Sequence, residues 1–283
     1  MRVRAIRLLA CLPDSQFINE IATGLALIAE HVAELELAVS ALTASGRWRG
    51  SEAVRVVADE EAAKYLILLD AVRCDRHNQS RKSGQLARFT DHLAKGIYAN
   101  AAEYRPASFG ELRGLVDQLR QSHYLDGPND LDWIFRNEVD ASREARLYTD
   151  YVETDQGSSW HSPQACDVVT SMFSTSVESS VVRLVAAMTR AGFTKPSGLR
   201  LVAAIWRGFE PDESTRWAEV AKRNQQTLAE LGQGGLTSAD FSDIDARLVV
   251  ETWGFPLHGA ELNVIKVDVE TLREQQRNWR PDL

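Results

Sequence analysis

Cysteine is nearly missing from this chain. Cys11, Cys74 and Cys166 are the only three in 283 residues, far apart and without CxxC or Cys/His spacing, which argues against a disulfide framework and against a zinc site. A reducing cytoplasm suits such usage. Long apolar runs are also lacking: no stretch approaches the roughly 20 apolar residues that span a bilayer. The opening MRVRAIRLLACLP imitates a secretion signal, but it holds Arg7 in a short apolar run and has no small-x-small cleavage site, so it reads as a strand or an irregular lead-in. Positive charge is in deficit, 32 Lys and Arg against 40 acids, for a net charge of -8. No global field therefore draws in nucleic acid, and any such binding needs a local basic patch. Walker A, GxGxxG, HExxH and GxSxG sequences are absent, as are the Glu-x-x-His pairs of di-iron bundles, so neither a metal nor a cofactor is expected.

What is present is an ordinary globular composition, 44% hydrophobic and 25% charged, with helical periodicity. Ile18, Ile21, Leu25, Ile28, Val32, Leu35, Val39 and Leu42 recur at steps of three and four, predicting a long first helix capped by Asp14 or Ser15. Ser45 and Gly46 end it, RWRG turns the chain, and Ser51 to Cys74 predicts an antiparallel second helix, the start of an up-and-down bundle. Further helices are expected over 85–104 and 109–124, and from Asp130 or Asp132 through Arg146. GSSW at 157–160 and HSP at 161–163 read as the clearest loop and as the domain boundary. Beyond it a long helix is expected over 164–191, with shorter ones over 199–207, 212–231 and from Thr237 or Ser238 to Trp253. ELNVIKVDVETLREQQRNW mixes β-like and helical signals, and its type stays open. The expectation is an all-α chain, a bundle over 1–163 with a C-terminal helical extension over 164–283 packing on it.

Chemistry concentrates on two of these helices. In the second, Val54, Val57, Tyr65, Leu68 and Val72 form an apolar stripe whose missing member falls on Glu61. A carboxylate facing a core needs a partner, and Lys64, one turn on, is the nearest cation. In the third, Arg88, His92 and Lys95 fall at i, i+4 and i+7, so three cationic or titratable groups project together. Metal-independent RNA cleavage needs a group to move the 2′-OH proton and cations to stabilise the phosphorane. His92 suits the proton work, Arg88 and Lys95 suit the phosphate, and Glu61 with Lys64 suits a supporting pair. The same residues also read as a structural polar network joining the two helices. Arg81 and Lys82, in a basic interhelical loop, suit RNA backbone contacts or are merely exposed. Arg146, Tyr148 and Asp150 reach the same centre or serve packing.

Taken together these pieces resemble the abortive-infection AbiV family of the HEPN superfamily of helical bundles. The matching elements are the long first helix, EExxK as Glu60, Glu61 and Lys64, HxxK as His92 and Lys95, the run RLYTDY with Arg146, Tyr148, Asp150 and Tyr151, and WxSP as Trp160, Ser162 and Pro163. They run in the family's order over about residues 16–190. The resemblance implies a homodimeric HEPN-like bundle acting in phage defence as a metal-independent ribonuclease or translation inhibitor, with RNA as substrate. Its departure is that Arg88 and His92 have only three residues between them, closer than the Arg–His spacing of HEPN nucleases. The alternative is a non-catalytic module that binds a phage or host protein.

Overall fold

The computed structural model describes residues 5–74, 78–124, 134–154, 157–163 and 179–266, with isolated positions at 270, 274, 277 and 278. The protein is all-α. Its helices among the described residues are α1 (Asp14–Ala44), α2 (Trp48–Arg73), α3 (Gln79–Ala87), α4 (His92–Glu103), α5 (Phe109–Leu119), α6 (Glu138–Leu147), α7 (Ser180–Ala191), α8 (Pro196–Ile205), α9 (Trp217–Gln233) and α10 (Asp243–Thr252), with 3-10 turns at Ile6–Cys11 and Arg88–Thr90. The lead-in is thus a turn rather than a strand, and α3 packs on it.

The first two helices form the expected antiparallel hairpin, and α1, at 31 residues, is about 46 Å long. Pro13, not Asp14 or Ser15, precedes the first turn, and no side chain caps it. Ile18, Ile21, Leu25, Ile28, Val32 and Val39 are buried, with Leu35 and Leu42 half-buried. Gly46 takes φ 71°, the left-handed conformation that ends the helix without a steric cost.

The second helix departs from the single stripe read from its sequence. Val57 is 41% exposed, while Val56, Ala58, Ala62 and Ala63 are buried, and from Tyr65 to Cys74 every residue is buried. The cause is its central position: α1, α3, α4, α6, α7 and α8 all pack on it, and a segment contacted from so many directions, fully enclosed from Tyr65 onward, has no single apolar stripe for a periodicity to report.

Two further expectations change. The helix expected over 85–104 is broken at Asp91, whose carboxylate accepts from the Ala94 N–H at 3.0 Å and caps α4. Short acids satisfy helix starts better than helix interiors. The GSSW loop is a strand: β3 (Asp150–Thr154) pairs antiparallel with β4 (Gly157–His161). Tyr151 lies opposite Trp160 with ring centroids 5.4 Å apart, the kind of cross-strand aromatic pair that favours a hairpin. A smaller pairing joins β1 (Ser122–Tyr124) to β2 (Ile134–Asn137), and Asn137 then caps α6. In the C-terminal ELNVIKV, Ile265 bridges Gln121 in parallel. Of the helix expected over 164–191, Ser180–Ala191 is α7; residues 164–178 lie outside the described residues.

Helices α7 to α10 share one apolar core with α1, α2 and α4. Its aromatic centre is Phe193, Trp206 and Trp253, with Trp206 and Trp253 centroids 5.1 Å apart. The Arg73 guanidinium lies over Trp206 and Trp253, 4.6 and 4.5 Å from the ring centroids. It pairs with the fully buried Asp70, which also accepts from Tyr98 Oη at 2.6 Å and from the Leu257 N–H at 2.7 Å. Arg73 donates to Gly254 O at 3.0 Å. This network straps residues 254–260 across α2 and α4.

Candidate functional site

The charged centre forms where α2, α4 and α6 meet. Adjacent residues on a helix are about 100° apart, and Glu60 and Glu61 have different partners. Glu61 pairs with Lys64 along its own helix, both side chains about one-fifth exposed, 19% and 21%. Glu60 is the acid that α4 reaches. Its carboxylate lies 2.9 and 3.1 Å from His92 Nδ1, accepts from Lys95 Nζ at 2.5 Å, and accepts from Arg143 Nε on α6 at 2.6 Å. The expected meeting of an α2 acid with α4 cations therefore takes place one residue earlier than the stripe indicated.

Close packing makes this convergence possible. A Cβ on Gly96 would overlap the Val139 side chain, so glycine there lets α6 lie against α4 and brings Arg143 within reach. Burial alone would push the Glu60 carboxyl up, but hydrogen bonds from Lys95, His92 and Arg143 outweigh it and hold it down at about 2. Lys95 has one carboxylate and is 4% exposed; burial lowers its ammonium more than Glu60 raises it, with Lys64 and Arg143 adding repulsion. The opposite balances arise because Glu60 gathers three cationic or donor partners and Lys95 has a single acceptor.

Because the Glu60 carboxylate only accepts, His92 Nδ1 must carry a proton towards it. Under that tautomer the lone pair sits on Nε2, and the 3.1 Å approach of Lys95 Nζ to Nδ1 is two donors converging on one carboxylate. The His92 side chain is half exposed, at 50%.

Two cavities flank the centre, and their charge differs. An inner cavity of about 530 Å³ between α2, α4 and α6 is lined by Glu52, Asp59, Glu60, Glu103 and Glu138 against Lys95, Arg143 and Arg146. Burial raises the Asp59 carboxyl there, opposed by the Ser179 hydroxyl at 2.5 Å and by Arg146 and Arg55. An outer cleft of about 570 Å³ is lined by Lys64, Lys95, His92 and Glu60 together with Ile6, Leu9, Phe89 and Thr90. Acids outnumber the lysines and arginines in the first lining, whereas in the second Lys64 and Lys95 stand beside the single carboxylate of Glu60.

The other residues singled out in the sequence lie apart from this centre or at its rim. Arg88 donates to Gln85 Oε1 and Leu257 O, both at 2.7 Å, and to Ala260 O; the break at Asp91 takes it off the face of His92 and Lys95, and it holds the C-terminal strap. Arg81 pairs with Glu210 at 2.5 Å. Lys82 is 3% exposed, its ammonium 4.6 Å from the Phe17 ring centroid, so it contributes to packing rather than to an exposed basic loop. Arg146 lines the inner cavity. Tyr148 is exposed, next to the end of α6. Asp150 begins β3, opposite His161. Arg143 is the member of the centre that sequence reading passed over. Its one signal was its position a turn before Arg146, behind the Asn137 cap.

Among the described residues no group of three or more His, Cys, Asp or Glu is arranged to hold a metal ion, and no helix is long and apolar enough to cross a membrane. No family model matches the chain, and no curated protein or solved structure matches it.

Proposed function

We propose that the chain is an abortive-infection effector of the HEPN type, a homodimeric, metal-independent ribonuclease of the cytoplasm that acts in phage defence. The observation that carries this reading is the Glu60–His92 contact at 2.9 Å beside Lys95, with His92 half exposed. His92 Nε2 takes the proton of a ribose 2′-OH, the 2′ oxygen attacks the adjacent phosphorus, the bond to the 5′ oxygen breaks and that oxygen takes a proton from water, leaving a 2′,3′-cyclic phosphate, while the imidazolium returns its proton to the hydroxide formed. Lys95 and Lys64 face the phosphate from the outer cleft, where they stabilise the charge that builds on the phosphorane. Glu60 holds the imidazole tautomer and Arg143 holds Glu60, so the supporting acid is Glu60 rather than the expected Glu61.

Incubating the purified chain with labelled RNA tests this. Wild type cleaves, and His92→Gln lowers the rate by about 10²- to 10⁴-fold with an unchanged melting curve. Intact RNA after prolonged incubation with wild type refutes the reading. A second reading, a non-catalytic module that binds a phage or host protein, is favoured by Tyr148, Tyr151 and Trp160, exposed by 55%, 58% and 73% around one hairpin.

A further inference from the structure

We propose that the apolar wall of the outer cleft, Ile6, Leu9 and Phe89, is a nucleobase subsite, with the cations opposite it holding the phosphate of the same nucleotide. The inference rests on the ribonuclease reading and specifies what its cleft recognises. The cleft, at about 570 Å³, is of the size that holds one nucleotide-sized ligand. Its lining is divided: apolar side chains come from the 3-10 turns at Ile6–Cys11 and Arg88–Thr90, and Lys64, Lys95 and His92, with the Glu60 carboxylate that Lys95 and His92 engage, come from α2 and α4. A ligand that satisfies both halves carries a flat apolar group and an anion a few ångströms apart, which is the chemistry of a nucleotide.

Phe89 is half-buried, with part of its ring packed against the core. Its turn is closed by Thr90 Oγ1 donating to Ala87 O at 3.3 Å and by the Asp91 cap that follows. Lys64 Nζ lies 5.2 Å from the Phe89 ring centroid while it also pairs with Glu61. One ammonium thus links the aromatic wall to the charged one. An aromatic contact of this kind tolerates any base, because every base offers a π face.

Calorimetric titration of the full-length chain with uridine 3′-monophosphate, adenosine 3′-monophosphate, inorganic phosphate and decanoate tests the proposal. Both nucleotides are expected to bind more tightly than phosphate or decanoate. Phe89→Ala should weaken the nucleotides roughly 5- to 100-fold and leave phosphate unchanged. Phe89→Trp, which keeps a flat ring, should retain nucleotide affinity, and Lys64→Met should weaken nucleotides and phosphate together. The proposal is overturned by nucleotides binding no tighter than phosphate, by decanoate binding most tightly, by the absence of any binding, or by Phe89→Ala changing nucleotide and phosphate affinity equally. The 3′-monophosphates cannot be cleaved by 2′-OH attack, so binding is read apart from turnover. A wild type that binds them through Phe89 yet leaves RNA intact removes the nuclease reading alone; RNA cleavage with unaltered binding in Phe89→Ala removes the subsite alone.

Discussion

Glu60 and Glu61 are identical in chemistry and adjacent in sequence, and the structure gives them unequal consequences. Glu60 compensates Lys95, which is 4% exposed; without the carboxylate, that ammonium is buried without its counter-ion. Glu60→Gln is therefore expected to destabilise by roughly 3 kcal/mol, and Glu61→Gln, in a partly solvated pair, by less than about 1 kcal/mol, both by urea denaturation. The depressed Glu60 carboxyl also sets a pH dependence. A group whose folded pKa lies below its unfolded value stabilises above the unfolded value and loses that contribution as pH falls through the folded one. For Glu60 the window runs from 4.5 down to about 2, and because the side chain is partly solvated the loss is on the order of 2 kcal/mol. Acid titrations of wild type and Glu60→Gln should converge over that window. Equal slopes in the two proteins would assign the acid sensitivity elsewhere.

At the scale of elements, the centre exists because α6 can approach α4. Gly96→Ala forces a methyl group into Val139, with an expected cost of about 1–3 kcal/mol and a loss of RNA cleavage as Arg143 withdraws from Glu60. Val139→Ala should restore much of both in the double variant, since the two side chains compete for one volume. Additive effects in that cycle would show that the contact does not govern the approach. Elements also account for two of the misreadings. The periodicity over 85–104 is genuine, but Asp91 offers a cap that local hydrogen bonding prefers to helix interior. GSSW is small and polar, so it reads as loop, and its pairing with β3 depends on a partner whose aromatic Tyr151 is nine residues from Trp160.

For the whole molecule, the strap over residues 254–260 is held by Asp70, Arg73 and Arg88. Asp70 is 0% exposed and accepts from three groups on three segments, so Asp70→Asn leaves the Arg73 guanidinium buried without a counter-ion. The expected loss is roughly 3–5 kcal/mol, with faster amide exchange at Leu257 than at core positions of α1; unchanged exchange there would mean that the strap is held by apolar packing alone. His258 lies within the strap, 6% exposed and without a hydrogen-bond partner among the described residues, and burial lowers its imidazole pKa.

The amino-acid sequence by itself determined the helical class, the α1–α2 hairpin and the identity of the charged segments, because these follow from local periodicity, caps and turns that act over a few residues. The tertiary structure alone decided which carboxylate meets α4, that Arg143 joins it, and that Arg88 and Lys82 leave the site for the strap and the core. Those choices depend on helix rotation and on the distance between α4 and α6. Such quantities are set when a central helix packs against six others, where a one-dimensional pattern no longer distinguishes one face from another.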